Sequence, residues 1–207
     1  MSTLNGALRT LAKALHIPVI ILLILLIFVV VVLVGVVIGE YFTEHRYLKV
    51  ELPRFIDTLN EEGTDLQECI KESGLLKRQK RALLEVTKHP EFNDIMREAL
   101  ATRLLDGEQE MYDNRVKISD LIAKIGPMLG LLGTLIPLGP GIIALGQGDT
   151  ATLTASLLTA FDTTIAGLSA AGVAMVISGI RKSWYNHYMS ILETVMECLL
   201  EVEKKKC

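Results

Sequence analysis

Long apolar segments alternate with charged segments along this chain of 207 residues. The first apolar segment, residues 18–39, contains no ionisable side chain. A helix rises about 1.5 Å per residue, so this segment is just long enough to cross a hydrocarbon core about 30 Å thick. Two further apolar segments cover residues 125–146 and 152–180. The pattern predicts an all-α integral membrane protein with three transmembrane helices.

A secretory signal peptide is the alternative interpretation of the first apolar segment. Two features favour an uncleaved membrane anchor instead. The apolar run is longer than the usual core of a signal peptide, and no small-x-small cleavage motif follows it. We therefore expect residues 18–39 to span the membrane.

Lysine and arginine lie on one side of the predicted spans. The short link between the second and third spans, residues 147–151, contains neither. The positive-inside rule then makes the basic segments cytoplasmic and puts the N-terminus of a three-span chain outside. Arg9 and Lys13 oppose this orientation only mildly. The basic residues that decide it are Arg46, Lys49, Arg115, Lys117, Lys124, Arg181 and Lys182.

The polar region between the first two spans has helical periodicity and no strand pattern of any length. Thr64 followed by Gln67 suits a capping box that opens a short helix, and Gly74 suits its end. His89-Pro90 predicts a break, because a residue before proline avoids helical geometry. Apolar residues at helical spacing are Leu75, Ala82, Leu83 and Val86, followed by Phe92, Ile95, Met96, Ala99, Leu100 and Leu104 in a long amphipathic pattern.

An amphipathic pattern also follows the third span. Tyr188, Leu192, Val195, Leu199 and Val202 repeat at three and four residues. We expect the second and third spans to continue as helices well into the cytoplasm. The predicted organisation is an outer N-terminal segment (1–17), spans at 18–39, 125–146 and 152–180, a helical cytoplasmic region (40–124), an outer loop (147–151) and a cytoplasmic C-terminal helix (181–207).

The composition argues against enzymatic and nucleic-acid chemistry. The formal net charge is −3, too small to favour a nucleic-acid partner. The three cysteines form no CxxC pair, and reduced thiols are expected. None of the four histidines (His16, His45, His89 and His187) has a recognisable catalytic or metal-binding companion. We predict that the chain is not an enzyme and holds no cofactor or metal.

Asp162 is the only ionisable residue in the third predicted span. A carboxylate that faces lipid costs a few kcal/mol, so Asp162 is expected to face another helix, a cavity or a partner. Thr159, Asp162, Thr163 and Ala166 share one helical face by their spacing. A carboxylate among hydroxyls suits a proton relay or a pore lining, and a hydrogen bond that only fixes helix packing is the alternative.

Glycine and proline are frequent in the second span. Gly126 and Gly130 form a GxxxG pair, which lets helices pack closely. Pro137 and Pro140 each lack a backbone donor and should kink or break the helix near its outer end. The third span is rich in small and hydroxylated residues, so it packs on other helices or lines a pathway. The predicted packing residues are Gly126, Gly130, Gly133 and Gly167.

Three motifs carry a resemblance to a known family. Residues 126–134 read GPMLGLLGT, residues 160–168 read AFDTTIAGL, and residues 184–188 read WYNHY. Together they resemble the MotA/TolQ/ExbB proton channel family. The order of the spans and the large first cytoplasmic region are similar to its TolQ/ExbB branch.

The resemblance implies a ring of copies, usually a pentamer, in a prokaryotic plasma membrane. The ring surrounds transmembrane helices of a smaller ExbD/TolR/MotB-like partner with a single span and a membrane Asp. Proton flow, or sodium flow in some members, drives a motion of the partner that does mechanical work. Thr134 and Thr164 match the family threonines that face the partner's Asp. The predicted ion-path and partner-facing residues are Thr134, Thr159, Asp162, Thr163 and Thr164.

Two positions depart from the family pattern. TolQ and ExbB chains often carry a Glu where this chain has Thr159, and Asp162, about one turn away, is inferred to substitute for it. After Thr134 the family lacks two prolines, whereas Pro137 and Pro140 follow here. Two alternatives to an energiser stay open: a non-conducting oligomeric membrane scaffold, and a flagellar-type stator, whose chains usually have four spans.

Overall fold

The chain is helical in a computed structural model that describes residues 2–45, 52–60, 66–89 and 91–206. No strand occurs within these ranges, and the predicted all-α fold is confirmed. A five-residue π-helix, Tyr41–His45, follows the first helix directly. The α-helices are α1 (Ser2–Glu40), α2 (Leu52–Asn60), α3 (Leu66–Glu72), α4 (Lys77–Thr87), α5 (Asp94–Gly146) and α6 (Thr150–Lys206).

Three helical segments are long and apolar enough to cross a membrane. They are Ala14–Thr43, Asp94–Gly146 and Thr150–Lys204. The last two have 53 and 55 residues, far more than the roughly 20 residues that a span requires. The prediction that the second and third spans continue as long helices is therefore confirmed.

The ends of the shorter helices follow local capping chemistry. The predicted break near His89 is confirmed, because α4 ends at Thr87 and α5 begins at Asp94. The Asn93 side chain accepts a hydrogen bond of 2.8 Å from the backbone N–H of Met96, which caps the new helix. Helix α3 ends at Glu72, two residues before Gly74. Thr64, in the predicted capping box, lies outside the described residues.

The helices form two compact units. We call Met1–Val36 with Lys117–Gly179 the membrane unit, and Val37–Val116 with Ile180–Cys207 the second unit. Each of the two long helices, α5 and α6, contributes one part to each unit. All of the predicted site residues lie in the membrane unit.

The second unit contains an apolar core drawn from five helices. The predicted stripe of α6, Tyr188 to Val202, is buried there, as are Leu75, Ala82, Leu83 and Val86. Gln79 is also buried, and its side-chain N–H donates to the backbone oxygen of Tyr188 at 2.8 Å. This bond satisfies a polar group that would be costly to bury unpaired.

The start of α5 differs from the predicted amphipathic face. Ile95 is 77% exposed and Met96 is also exposed, whereas Arg97 and Ala101 are buried. The reason is an ion pair: Arg97 Nε lies 3.1 Å from an Oε of Glu203 on α6. Because this pair and the small Ala101 face the core, the larger apolar side chains beside them point outward.

In the membrane unit, one side of α1 is buried through residues that recur every three or four positions. Helix α5 runs without interruption through Pro137 and Pro140 to Gly146, so neither proline ends it. A tight turn then leads into α6. Gly148 in this turn has φ of 78°, in the left-handed region that favours glycine. The buried residues of α1 are Val19, Leu23, Leu26, Val30 and Leu33.

Candidate functional site

Glycines bring α5 and α6 into backbone contact within the membrane unit. A Cβ atom on Gly167 would lie 2.6 Å from the carbonyl oxygen of Gly126 and 2.9 Å from the Cα atom of Gly130. Both separations are shorter than van der Waals contact, so no larger residue fits without moving a backbone. This contact joins three of the four glycines that are predicted to pack the helices, namely Gly126, Gly130 and Gly167.

The fourth predicted glycine faces a threonine. A Cβ atom on Gly133 would lie 2.6 Å from the Cβ atom of Thr163 and 2.7 Å from its Oγ1 atom. One turn away, Gly130 lies beside the backbone of Thr164. Residues 130–134 of α5 therefore lie at the same level as residues 162–164 of α6.

The predicted shared face of α6 is divided in the structure. Thr163 is buried against Gly133. Its predicted place among the partner-facing residues calls for an exposed side chain, and that role stays a prediction. Asp162 lies on the exposed surface of the helix, and Thr159 is partly exposed. The reason is rotational: successive residues are about 100° apart around a helix, so neighbours at the edge of a contact have different surroundings.

In each threonine of the candidate site, the hydroxyl donates a hydrogen bond to a backbone carbonyl oxygen of the same helix. Thr134 donates to the carbonyl oxygen of Leu131 at 2.7 Å. Thr159 donates to that of Ala155 at 3.0 Å. A hydroxyl has one donor and two lone pairs, so an oxygen whose proton is engaged can only accept. The remaining two, Thr163 and Thr164, both donate to the carbonyl oxygen of Ala160. Such oxygens suit a hydronium ion, a sodium ion or a protonated carboxyl group.

Asp162 lies on an apolar surface. Its neighbours on the exposed side of α6 are Leu158, Phe161 and Ile165, each more than 60% exposed. Within the described part of the chain, no hydrogen bond or ion pair involves the Asp162 carboxylate. Inside a membrane span, a carboxylate on an apolar surface costs a few kcal/mol unless it has a polar neighbour.

The two prolines of α5 lie beside a cavity at the end of the membrane unit that contains the turn. Pro137, Pro140 and Thr159 line it, together with His16 of α1. The cavity has a volume of about 370 Å³. The structure therefore brings Thr159 and the prolines together, one helical turn or more from the level of Asp162.

Sequence reasoning missed a charged cluster in the second unit, centred on Glu40. One Glu40 oxygen lies 3.0 Å from Nη1 of Arg115 and accepts a hydrogen bond from the Tyr185 hydroxyl, and the other lies 3.1 Å from Nε of Arg181. Burial and the Glu40 carboxylate raise the pKa of the Tyr185 hydroxyl, which therefore stays protonated as a donor. The available signal was a carboxylate directly after a 22-residue apolar run.

Replacing Glu40 with alanine is expected to destabilise the second unit by on the order of 3 kcal/mol, because it leaves a buried arginine without its counter-charge. The Arg181 side chain is only 4% exposed and cannot recover the pairing from water. The check is the free energy of unfolding of the detergent-purified protein. Glu108→Ala is the matched control: its partner Arg78 is 43% exposed, so that loss should stay below about 1 kcal/mol. Equal losses in the two variants would contradict the expectation.

Comparison with known proteins places these motifs in a family. A family model described as the MotA/TolQ/ExbB proton channel family matches residues 68–194, which is more than half of the chain. The match includes all of α5 and most of α6, and with them the glycine contact, the threonines and Asp162. No curated protein matches the chain. The chain is thus a multi-pass membrane protein that belongs to the MotA/TolQ/ExbB proton channel family.

Proposed function

We propose that this protein is a proton-conducting stator or energiser subunit of the TolQ/ExbB type. Five copies form a ring in a prokaryotic plasma membrane, with the N-terminus outside and the C-terminus in the cytoplasm. The ring surrounds a small single-span protein that has an Asp in its transmembrane helix. Proton flow between ring and partner drives a motion of the partner that does mechanical work.

The observation that carries this proposal is the position of Asp162. Its carboxylate is exposed among Phe161, Ile165 and other apolar side chains, with no bond to the described residues of its own chain. A packing role within one subunit would require a partner inside the chain. A ring that encloses a polar partner helix supplies the missing neighbour and removes the apolar surface from lipid.

The threonine oxygens support the choice of a cation as the transported species. Thr134, Thr159 and Thr164 present lone pairs at or near the level of Asp162 because their protons bond to helix carbonyls. Each charge that crosses the membrane releases about 2.3 kcal/mol per 100 mV, so a few charges per cycle are enough to drive a conformational step. The proton, rather than sodium, is chosen because a carboxylate can take up and release it.

The native mass of the complex, extracted gently from its own membrane, tests the proposed architecture. We expect a ring of about five copies that holds a small single-span protein with a membrane Asp. Proton flux through the same complex in liposomes tests the activity, and replacing external protons by sodium distinguishes the two ions. A ring without such a partner and without flux would instead indicate a non-conducting scaffold.

A further inference from the structure

The cavity beside the prolines of α5 contains an unusual polar group for a membrane position. His16 of α1 lines it with Pro137 and Pro140 of α5 and with Thr152, Ser156 and Thr159 of α6. Helices α1, α5 and α6 therefore all contribute to one site, at the end of the membrane unit that contains the 147–149 turn. His16 precedes the segment that matches the family, residues 68–194.

The Nε2 atom of His16 is buried, and within the described residues it has no hydrogen-bond partner. Leaving a buried polar atom unpaired is costly, so a partner from outside the described residues is favoured. Pro140 has no N–H to donate, so the carbonyl oxygen of Ile136, four residues earlier, lacks its usual helical donor. Ile136 also lines the cavity. Water molecules suit such a site, since they can bond both groups.

Polar residues continue from this cavity along one side of α6. Thr152, Ser156, Thr159 and Asp162 are spaced by three or four residues, so they follow one another along the helix surface. From Thr152 to Asp162 the helix rises about 15 Å, roughly half of a hydrocarbon core. This line leads from the cavity to the carboxylate that the proposed function requires.

We propose that the cavity is a water-filled vestibule in which His16 receives the coupling proton before it reaches Asp162, an inference that rests on the proposed function. With its own proton on Nδ1, the imidazole accepts a second proton at the Nε2 lone pair from a hydronium ion, which becomes water. The Nε2–H bond then breaks as the proton passes to a water molecule beside Thr159. Histidine suits this step because it exchanges protons at physiological pH.

The charged groups around His16 are compatible with this exchange. Lys13 lies three residues before His16 in the sequence. Residues 125–146 of α5 contain no titratable side chain. Within residues 150–179 of α6 the titratable side chain is Asp162. In the turn, Asp149 accepts hydrogen bonds from the hydroxyl and the backbone N–H of Thr152, and these bonds hold the pKa of Asp149 below its ordinary value. Its negative charge beside Thr152, which lines the cavity, attracts cations.

Thiol labelling tests the vestibule without requiring flux. Ser156→Cys and Thr159→Cys are each made in a background with the three native cysteines replaced by serine. Intact vesicles of both orientations are treated with a charged, membrane-impermeant methanethiosulfonate. We expect modification from the side of the N-terminus alone, because the reactive thiolate forms only where water reaches it. Ile21→Cys, on the exposed apolar side of α1, is the control and should not react. Failure of both cavity variants to react would overturn the vestibule.

The role of His16 is tested by proton flux as a function of external pH. Removing a positioned proton-transferring side chain commonly slows transfer about 100-fold or more, so we expect His16→Gln to lower flux at least roughly tenfold. His187→Gln, an exposed histidine of the second unit, should leave flux and its pH profile unchanged. An unchanged profile in His16→Gln would overturn the inference and leave the proposed function standing. No flux in the unaltered complex would overturn the proposed function and the proton role of His16, whereas labelling would still establish the water-filled cavity.

Discussion

Replacing Asp162 with asparagine is expected to stop proton flux while the protein stays folded and assembled. Asparagine has nearly the same shape and retains hydrogen-bonding capacity, but it cannot exchange a proton. Because no hydrogen bond or ion pair to Asp162 exists among the described residues, the substitution breaks no bond inside that part of the chain. We expect flux to fall more than about 100-fold, the scale of a lost proton-transferring group.

The measurement is proton flux into liposomes that contain the purified complex under a membrane potential, with native mass as the test of assembly. Asp162→Glu is the conservative variant and should retain part of the flux. Asp106→Asn changes the same chemical group at an exposed position of the second unit and should leave the flux unchanged. If Asp162→Asn conducted normally, the carboxylate would be a packing residue and the proposed ion path would be wrong.

Replacing Gly167 with leucine has the second large expected effect, the loss of the folded membrane unit. Even a methyl group at this position would lie 2.6 Å from the Gly126 carbonyl oxygen and 2.9 Å from the Gly130 Cα atom. Backbone atoms cannot rotate away as side chains can, so α5 and α6 must separate. Overpacking commonly costs 1–3 kcal/mol, and a full leucine side chain against two backbones should exceed about 5 kcal/mol.

Gly172→Leu is the matched control on the same helix, because a Cβ atom there would meet nothing within 4 Å. Thermal unfolding in detergent and size-exclusion chromatography compare the two variants. We expect Gly172→Leu to behave like the unaltered protein and Gly167→Leu to aggregate or elute as an expanded species. A well-folded Gly167→Leu protein would show that α5 and α6 do not touch through these glycines.

The hydrophobic pattern along the chain was sufficient to predict the spans and the helical class. A membrane-spanning helix satisfies its own backbone hydrogen bonds, so its existence depends on residues close together in sequence. The stripe from Tyr188 to Val202 was equally predictable, because spacing alone decides which residues share a helix face. Asp162 was identifiable because one carboxylate in an apolar segment is conspicuous whatever surrounds it.

Contacts between distant segments decided the rest. Ile95 and Met96 have the right spacing for burial, yet the Arg97–Glu203 pair turns that face of α5 outward. Thr163 and Asp162 are adjacent, and only the approach of Gly133 shows that the threonine is enclosed while the carboxylate is exposed. Periodicity specifies a helix face but not the direction in which that face points.

Glu40 and His16 show most clearly which features depend on the tertiary structure. Each stands at one end of the first apolar segment and carries no local motif. The Glu40 carboxylate pairs with Arg181, 141 positions away in the sequence. His16 shares a cavity with Pro137, Pro140 and Thr159. Local composition therefore specifies which segments form helices and cross the membrane. The pairing of charges and the position of a buried imidazole depend on how the helices rotate and pack, so only the tertiary structure determines them.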